Sequence, residues 1–540
     1  MNKFILILST LILLIGLSCA RNEDTFKDYT VAGEKTGIDT TAPTISSTTP
    51  ANGTKTDNSS ISATFSEVMD NSTISNSTFT IEDSSKNSVS GTVTTNNEIS
   101  TFTPSSISPG NYTATISKSV KDLAGNQMAS NYSWSFNYGW VGTKQLGTSS
   151  CDGAKGVATD SSGNFYVAGY TYGGLDGNMN SGESDLFVVK YDASGTKQWT
   201  KQLGTSSHDF AFGVATGSSG NVYLAGYTSG GLDGNSNSGN RDLFVLKYDS
   251  SGTKQWTKQL GTSDYEEASG VATDSSGNVY VAGYTRGGLD GNSNSGNKDF
   301  FVIKYNSSGT KQWTKQLGTS SSDSASGVAT DSSGNFYVAG STSGGLDGNT
   351  NSGSSDLFVL KYDSSGTKQW TKQLGTSSSD SASGVATDSS GNVYVAGSTE
   401  GGLDGNSSAG SWDLFVVKYD SDGNKQWTQQ LGTSSHDFAY GFATDSSGNV
   451  YVAGMTYGGL DGNSNSGEID LFIVKYNSSG TKQWTKQLGS SSEDSASGVA
   501  TDSSGNFYVA GYTYGGLDGN SNSGCNDLFV VKYDSDGNKK

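Results

Sequence analysis

From Gly147 onward the chain repeats itself seven times at a constant interval of 57 residues, with Gly204, Gly261, Gly318, Gly375, Gly432 and Gly489 opening the later copies. Repetition at this spacing constrains the fold more than any local propensity, because each copy is a unit that buries its apolar surface only against neighbouring copies. Each copy holds four strand-like runs, in the first 156–160, 165–171, 185–191 and 197–203. The polar joints 160–164 and 192–196 carry a glycine able to take the left-handed conformation of tight hairpins. Leu186-Phe187-Val188-Val189 is apolar at successive positions, as in a strand covered on both faces. Four short antiparallel strands per unit, with no persistent helical stripe, predict an all-β fold, a seven-bladed β-propeller.

In this phase the seventh copy reaches Lys540 where the others continue with Trp199-Thr200-Lys201-Gln202-Leu203, and Thr143-Lys144-Gln145-Leu146, ahead of the first copy, matches most of that segment. The expectation is that the fourth strand of the last blade comes from the N-terminal side, which removes two open edges. Trp140 either replaces the expected tryptophan two residues early, on the same strand face, or is a change in the lead-in alone.

Segments such as Gly-Val-Ala-Thr-Asp-Ser-Ser-Gly-Asn-Val-Tyr-Val-Ala-Gly, Gly-Gly-Leu-Asp-Gly-Asn-Ser-Asn-Ser-Gly and Asp-Leu-Phe-Val-Leu-Lys-Tyr resemble the bacterial β-propeller repeats called SBBP, over residues 139–540. That resemblance implies a propeller and no general catalytic assignment. Ahead of it, all four prolines fall in 41–138, where alternating runs such as Ile61-Ser62-Ala63-Thr64-Phe65 predict a β-sandwich. Phe65-Ser66-Glu67-Val68-Met69-Asp70 and Val120-Lys121-Asp122-Leu123-Ala124-Gly125-Asn126 resemble bacterial Ig-like domains of the S-layer type, which implies a spacer. Residues 1–18 pair an early lysine with the apolar run 4–17, too short for a comfortable membrane span and suited to a secretory signal. Gly16-Leu17-Ser18-Cys19 looks like a lipoprotein processing site in the relaxed form seen in spirochaetes; the alternative is an ordinary signal peptide with a chance cysteine. Lipidated Cys19 would anchor the chain to a membrane of the cell envelope, the outer membrane being the expected one, through a flexible tether over 19–40.

A formal net charge of −19 argues against nucleic-acid partners, whose phosphates need a basic surface. The acids are ordered: Asp152 and its equivalents, an aspartate in the long loop, and Asp185 at the start of the third run recur in every copy, with Glu266 as one substitute. Placed on one rim, opposite lysines such as Lys190 and Lys197, they predict a ring with an acidic loop face. In the long loop, Asp176, Asn178, Asn180 and Asp185 alternate as oxygen ligands do in calcium loops, and the aspartate recurs as Asp233, Asp290, Asp347, Asp404, Asp461 and Asp518. The spacing departs from both the EF-hand and the integrin-type propeller loop. The competing expectation is an Asx-turn loop whose oxygens cap its own amides. Cys151 and Cys525 are each unique among their repeat equivalents and both sit where the ring must close, so a disulfide across the seam is expected; two free thiols are the alternative.

Catalytic constellations are scarce. His208 and His436 hold equivalent positions in separate copies and read as variable loop residues, and no Gly-x-Ser-x-Gly elbow or zinc spacing occurs. The chain is therefore expected to be a non-enzymatic binding or scaffold protein that presents the propeller to an extracytoplasmic protein or glycan. Two other classes stay open: an extracytoplasmic hydrolase or lyase, favoured by symmetry-breaking residues at one channel mouth, and an envelope-structural protein without a discrete ligand.

Overall fold

A computed structural model describes residues 39–56, 60–108 and 110–540. The apolar N-terminal run, Cys19 and most of the tether lie outside the described residues.

Between Ile45 and Tyr138, eight strands form two four-stranded sheets. Their inward residues alternate along the chain, as Ile61, Ala63 and Phe65 do, and meet Phe79, Phe102 and Trp134 in one core. A sandwich follows because period-two burial leaves each sheet a single apolar face.

Seven four-stranded sheets follow, six in simple sequential order and the last completed by a strand from ahead of the first blade. In the first blade the strands are Asp152–Thr159, Phe165–Thr171, Asp185–Tyr191 and Lys197–Leu203. The innermost strand begins four residues earlier than the apolar run from Gly156 suggests, because its polar first half pairs as well as its apolar second half. Leu186, Phe187, Val188 and Val189 are all fully buried, since neighbouring blades cover both faces of the third strand. One such interface packs Tyr223, Leu243 and Val245 of blade 2 against Val281, Phe301 and Ile303 of blade 3.

Two features of the innermost strands set the radius of the ring. A Cβ added at Gly156, Gly213, Gly270, Gly327, Gly441 or Gly498 would lie 2.7 to 3.2 Å from an atom of the next blade, so glycine lets the strands approach closely around the axis. At their far ends a belt of hydrogen bonds runs round the ring. Thr216 Oγ1 donates to the Thr159 carbonyl (2.6 Å), Thr273 to Thr216 (2.8 Å), Thr330 to Thr273 (2.8 Å), and Thr387, Thr444 and Thr501 continue at 2.9 Å each. Thr159 donates to Thr501 at 2.6 Å and completes the circle.

The seam is built from both chain ends. Thr143–Leu146 pairs antiparallel with Asp527–Tyr533 in the last blade, Leu146 opposite Leu528 and Thr143 opposite Val531. Lys539 bridges to Tyr533, the place Lys197 takes opposite Tyr191. Trp140 does stand in for the missing tryptophan: its ring lies 6.1 Å from Tyr508, as Trp199 lies 6.0 Å from Tyr166. On the opposite mouth, a disulfide joins Cys151 to Cys525, with the Cα atoms 4.8 Å apart.

The belt and the disulfide close one joint at opposite mouths, so their losses should couple. Thr216→Val, away from the seam, is expected to cost about 1–2 kcal/mol and to add independently to Cys151→Ser. Thr159→Val combined with Cys151→Ser should depart from additivity by roughly 0.5 kcal/mol or more. Urea unfolding of the three single and two double variants reads both terms.

Candidate functional site

The repeated acids turn inward. Asp152 is fully buried; its Oδ2 accepts from the Thr148 amide (2.6 Å) and Thr148 Oγ1 (2.9 Å), and Thr171 Oγ1 donates to its other oxygen. Burial pushes its carboxyl above the ordinary value even against these bonds. Asp185 is likewise buried and accepts from the Ser181 amide (2.8 Å) and Gln202 Nε2 (2.9 Å). The acidic loop face expected from these residues is therefore not made by them: they staple loops to strands.

Most polar groups of the candidate calcium loop bond within the protein, while Asp185 Oδ1 is buried without a hydrogen-bond partner among the described residues. Asp176 turns away from its loop neighbours to the outer strand, where the Lys197 ammonium and Thr200 Oγ1 (2.7 Å) bind its carboxylate. Asn178 Nδ2 donates to the Leu175 carbonyl (2.8 Å) and Asn180 Nδ2 to Gly182 (2.6 Å), so the amides cap their own loop. Asp233, Asp290, Asp347, Asp404, Asp461 and Asp518 repeat the pairing with Lys254, Lys311, Lys368, Lys425, Lys482 and Lys539. At Asp290 the Lys311 ammonium holds the carboxyl below its ordinary value. All seven aspartates adopt φ near 55°. That left-handed conformation is one aspartate tolerates and β-branched residues do not. The pairing also sets Lys197 against the loop acid it was expected to lie opposite. Elsewhere among the described residues, Asp39, Glu67 and Asp122 of the Ig-like domain bring ligand atoms within 4.8 Å of one another, and both Asp122 oxygens are held by Asn126 at 2.8 Å.

What distinguishes one blade from another gathers at one mouth of the channel. In every blade the pairing of the first two strands slips between the third and fifth residues, in blade 1 between Ala154 and Gly156. Such a bulge leaves one residue unpaired and re-aims its side chain. The bulged positions are Lys155, Phe212, Ser269, Ser326, Ser383, Tyr440 and Ser497. Two residues earlier stand Gly153, Phe210, Glu267, Ser324, Ser381, Phe438 and Ser495, and the second-strand ends and entry loops vary likewise. Blade 4 carries serine throughout, at Ser322, Ser324, Ser326, Ser341, Ser343 and Ser355. The departures are densest from blade 6 through blades 7, 1 and 2 to blade 3, and Glu400 and Trp412 carry them into blade 5. By contrast, the hairpin turns at the opposite mouth stay close to Asp-Ser-Ser-Gly-Asn and Asp-Ser-Ser-Gly-Thr.

The diversified arc encloses a cavity of about 350 Å³ lined by Lys155, Phe212, Glu267, Tyr440, Ser497 and Tyr512, with Ser269 and Ser495. The Lys155 ammonium lies 5.7 Å from the ring centres of both Tyr170 and Tyr512 and, among the described residues, has no hydrogen-bond or ion-pair partner. Burial lowers its pKa. Glu267 is supported by Arg241 (3.5 Å) and the Tyr284 hydroxyl (3.2 Å). Arg241 stacks over Tyr227 at 4.1 Å and Lys298 over Tyr284 at 3.9 Å. Burial pushes the Tyr170 phenol up to about 12, so it remains a neutral donor at physiological pH. Tyr172, Tyr440, Tyr457 and Tyr514 are exposed around the rim.

His208 belongs to this face rather than to loop noise: its Nδ1 lies 3.0 Å from Ser184 Oγ and its Nε2 2.6 Å from Glu183. The trio resembles a Ser-His-acid set, but Ser184 is fully buried and cannot reach a substrate. His436 stacks on Phe438 with ring centres 5.7 Å apart. The sequence signal for the whole face is departure from an otherwise near-identical repeat.

Because each loop aspartate such as Asp176 is paired with a lysine and the Asn178 and Asn180 amides cap their own loop, chelator and added calcium are both expected to leave the propeller's melting temperature unchanged. Asp404→Asn should preserve the left-handed turn, whereas Asp404→Val should destabilise by about 1–2 kcal/mol from backbone strain, measured by urea unfolding.

Comparison with known proteins agrees with this architecture. A model of a bacterial Ig-like domain matches residues 39–138. A β-propeller repeat model, SBBP, matches 141–176, 198–233, 255–290, 312–347, 369–404, 426–461 and 483–518. A regulatory protein of Caulobacter vibrioides, FlaEY, is 27% identical over 375 residues, 61% of this chain and 39% of that protein. An uncharacterised WD repeat-containing protein of Acanthamoeba polyphaga mimivirus is 23% identical over 480 residues, 66% of this chain and 35% of its own length. The chain thus spans little more than a third of these relatives. Among solved structures, Sqt1 from Chaetomium thermophilum aligns at 10% identity with a TM-score of 0.38, over 73% of this chain and 86% of that one. With the family model recurring in all seven blades, the chain is a bacterial Ig-like domain joined to a seven-bladed propeller of SBBP repeats.

Proposed function

We propose that this protein is a lipid-anchored binding or scaffold protein of the cell envelope, held by Cys19 and its tether, with the Ig-like domain as spacer and the diversified mouth of the propeller as its binding face. One observation carries the proposal: substitutions within near-identical repeats concentrate on a single mouth, where they supply exposed tyrosines, cations and one cavity. Aromatic residues with adaptable hydroxyls are the composition recognition surfaces use. The partner is an extracytoplasmic protein or glycan rather than a nucleic acid, given the net charge of −19.

Broken symmetry at one mouth is also what a hydrolase or lyase would display. The residues gathered there favour binding, because none of the serines lining the cavity has a hydrogen-bonded histidine beside it and the one serine that does, Ser184, is buried.

Three experiments test the proposal. Metabolic labelling with palmitate should mark the chain and lose the mark in Cys19→Ser, and protease added to intact cells should remove the propeller if the anchor faces outward. A photo-cross-linker attached through Ser229→Cys, on the diversified mouth, should give discrete adducts on cells, whereas one attached through Ser250→Cys, on the uniform mouth, should not. Equal adducts from both sites would overturn the assignment of the face.

A further inference from the structure

Lys155 occupies an unusual position. It is the one cation among the seven bulged residues, and blade 1 stands at the middle of the arc that runs from blade 6 to blade 3. Lys155 is half-buried, and its ammonium faces two tyrosine rings near the limit of useful cation–π attraction, about 6 Å. Glu267 shares the cavity but already has Arg241 and Tyr284, so the local charge balance leaves Lys155 uncompensated. A half-buried cation without a counter-ion favours an anionic ligand group.

The remainder of the wall defines what carries that anion. Phe212, Tyr440 and Tyr512 contribute aromatic rings to the lining, and Ser269, Ser495 and Ser497 contribute small polar residues. Such a wall suits a body that is apolar on its flat sides and polar around its edge, which is the surface of a pyranose ring. The cavity volume, about 350 Å³, is at the small end of the roughly 300–1,000 Å³ range of ligand sites, enough for a terminal sugar residue with the chain extending outward over the exposed tyrosines.

Resting on the assignment of this mouth as the binding face, we infer that the cavity takes a carboxylated sugar residue of an acidic glycan, with Lys155 on the carboxylate, the aromatic rings on the sugar faces, and the serines and Glu267 on its hydroxyls. Hexuronic acids are the simplest members of the class.

Calorimetric titration of the full chain tests this with D-glucuronate and a galacturonate trimer, set against D-glucuronamide, glucose, inorganic phosphate and an acetylated tripeptide with a free carboxylate. The uronates should bind at least tenfold more tightly than the amide, glucose, phosphate or the peptide. Lys155→Gln should abolish the preference for uronate over amide, and Lys155→Arg should retain most of it, with thermal unfolding confirming that both variants fold. Ser326→Gln, at the same bulge in blade 4, should change nothing. Absence of uronate binding, equal binding of the amide, a preference for phosphate or peptide, or an unaffected Lys155→Gln would each overturn the inference. If face-specific cross-linking persists while uronates fail to bind, only the ligand class is wrong; if both fail, the binding face is wrong as well.

Discussion

Closure of the ring is the constraint on which everything else depends. A sheet of four strands has two open edges and two apolar faces, and a blade satisfies its faces only if both neighbours are present. Seven blades meet this condition when their innermost strands come close enough to touch. Glycine at 156 and its equivalents permits that approach, and the belt from Thr159 to Thr501 fixes it with one hydrogen bond per joint. In six blades the chain runs continuously from the innermost to the outermost strand. In the last blade the outermost strand is supplied by pairing from the other chain end, and Thr143–Leu146, Trp140, the final lysines and the Cys151–Cys525 disulfide all gather there.

The same logic explains where the repeated polar residues went. An aspartate present seven times has the same surroundings seven times, and those surroundings are loop amides, a threonine hydroxyl, a glutamine or a lysine of the same blade. Each long loop descends along the outer strand, buries Leu175 or its equivalent fully or nearly so, and uses its aspartate to tie itself down. Periodic acidity is therefore an internal framework, and it contributes less surface charge than the formal count suggests.

Much of this architecture was legible in the chain. The repeat phase, the apolar third strands and the two odd cysteines were enough to place blades, seam and disulfide, because those features depend on periodicity and on its two interruptions. The long loop was legible only as two alternatives. Asp176 and Asn178 have the right atoms for either a cation or a cap, and only the direction of the Asp176 side chain, toward Thr200 and Lys197, separates them. Lys155, Phe212 and Tyr440 were passed over because each looks like scatter when judged alone. Their significance lies in the bulge, which is a property of strand pairing and turns one residue per blade toward the channel.

A repeat protein separates structure from recognition more cleanly than a fold built once. Any position that holds the ring together is held identical, since a change there disturbs a joint shared with the next blade. A position that bears no load can diverge in each copy independently. The bulged residue qualifies because it lies outside the ladder, and the position two before it qualifies because its side chain also reaches the mouth. The uniform mouth, with its threonine belt and tight turns, has no such freedom. The asymmetry between the two mouths thus follows from where the load is carried, and it leaves Lys155, an unpaired charge at the centre of the free arc, as the residue whose presence the framework does not require.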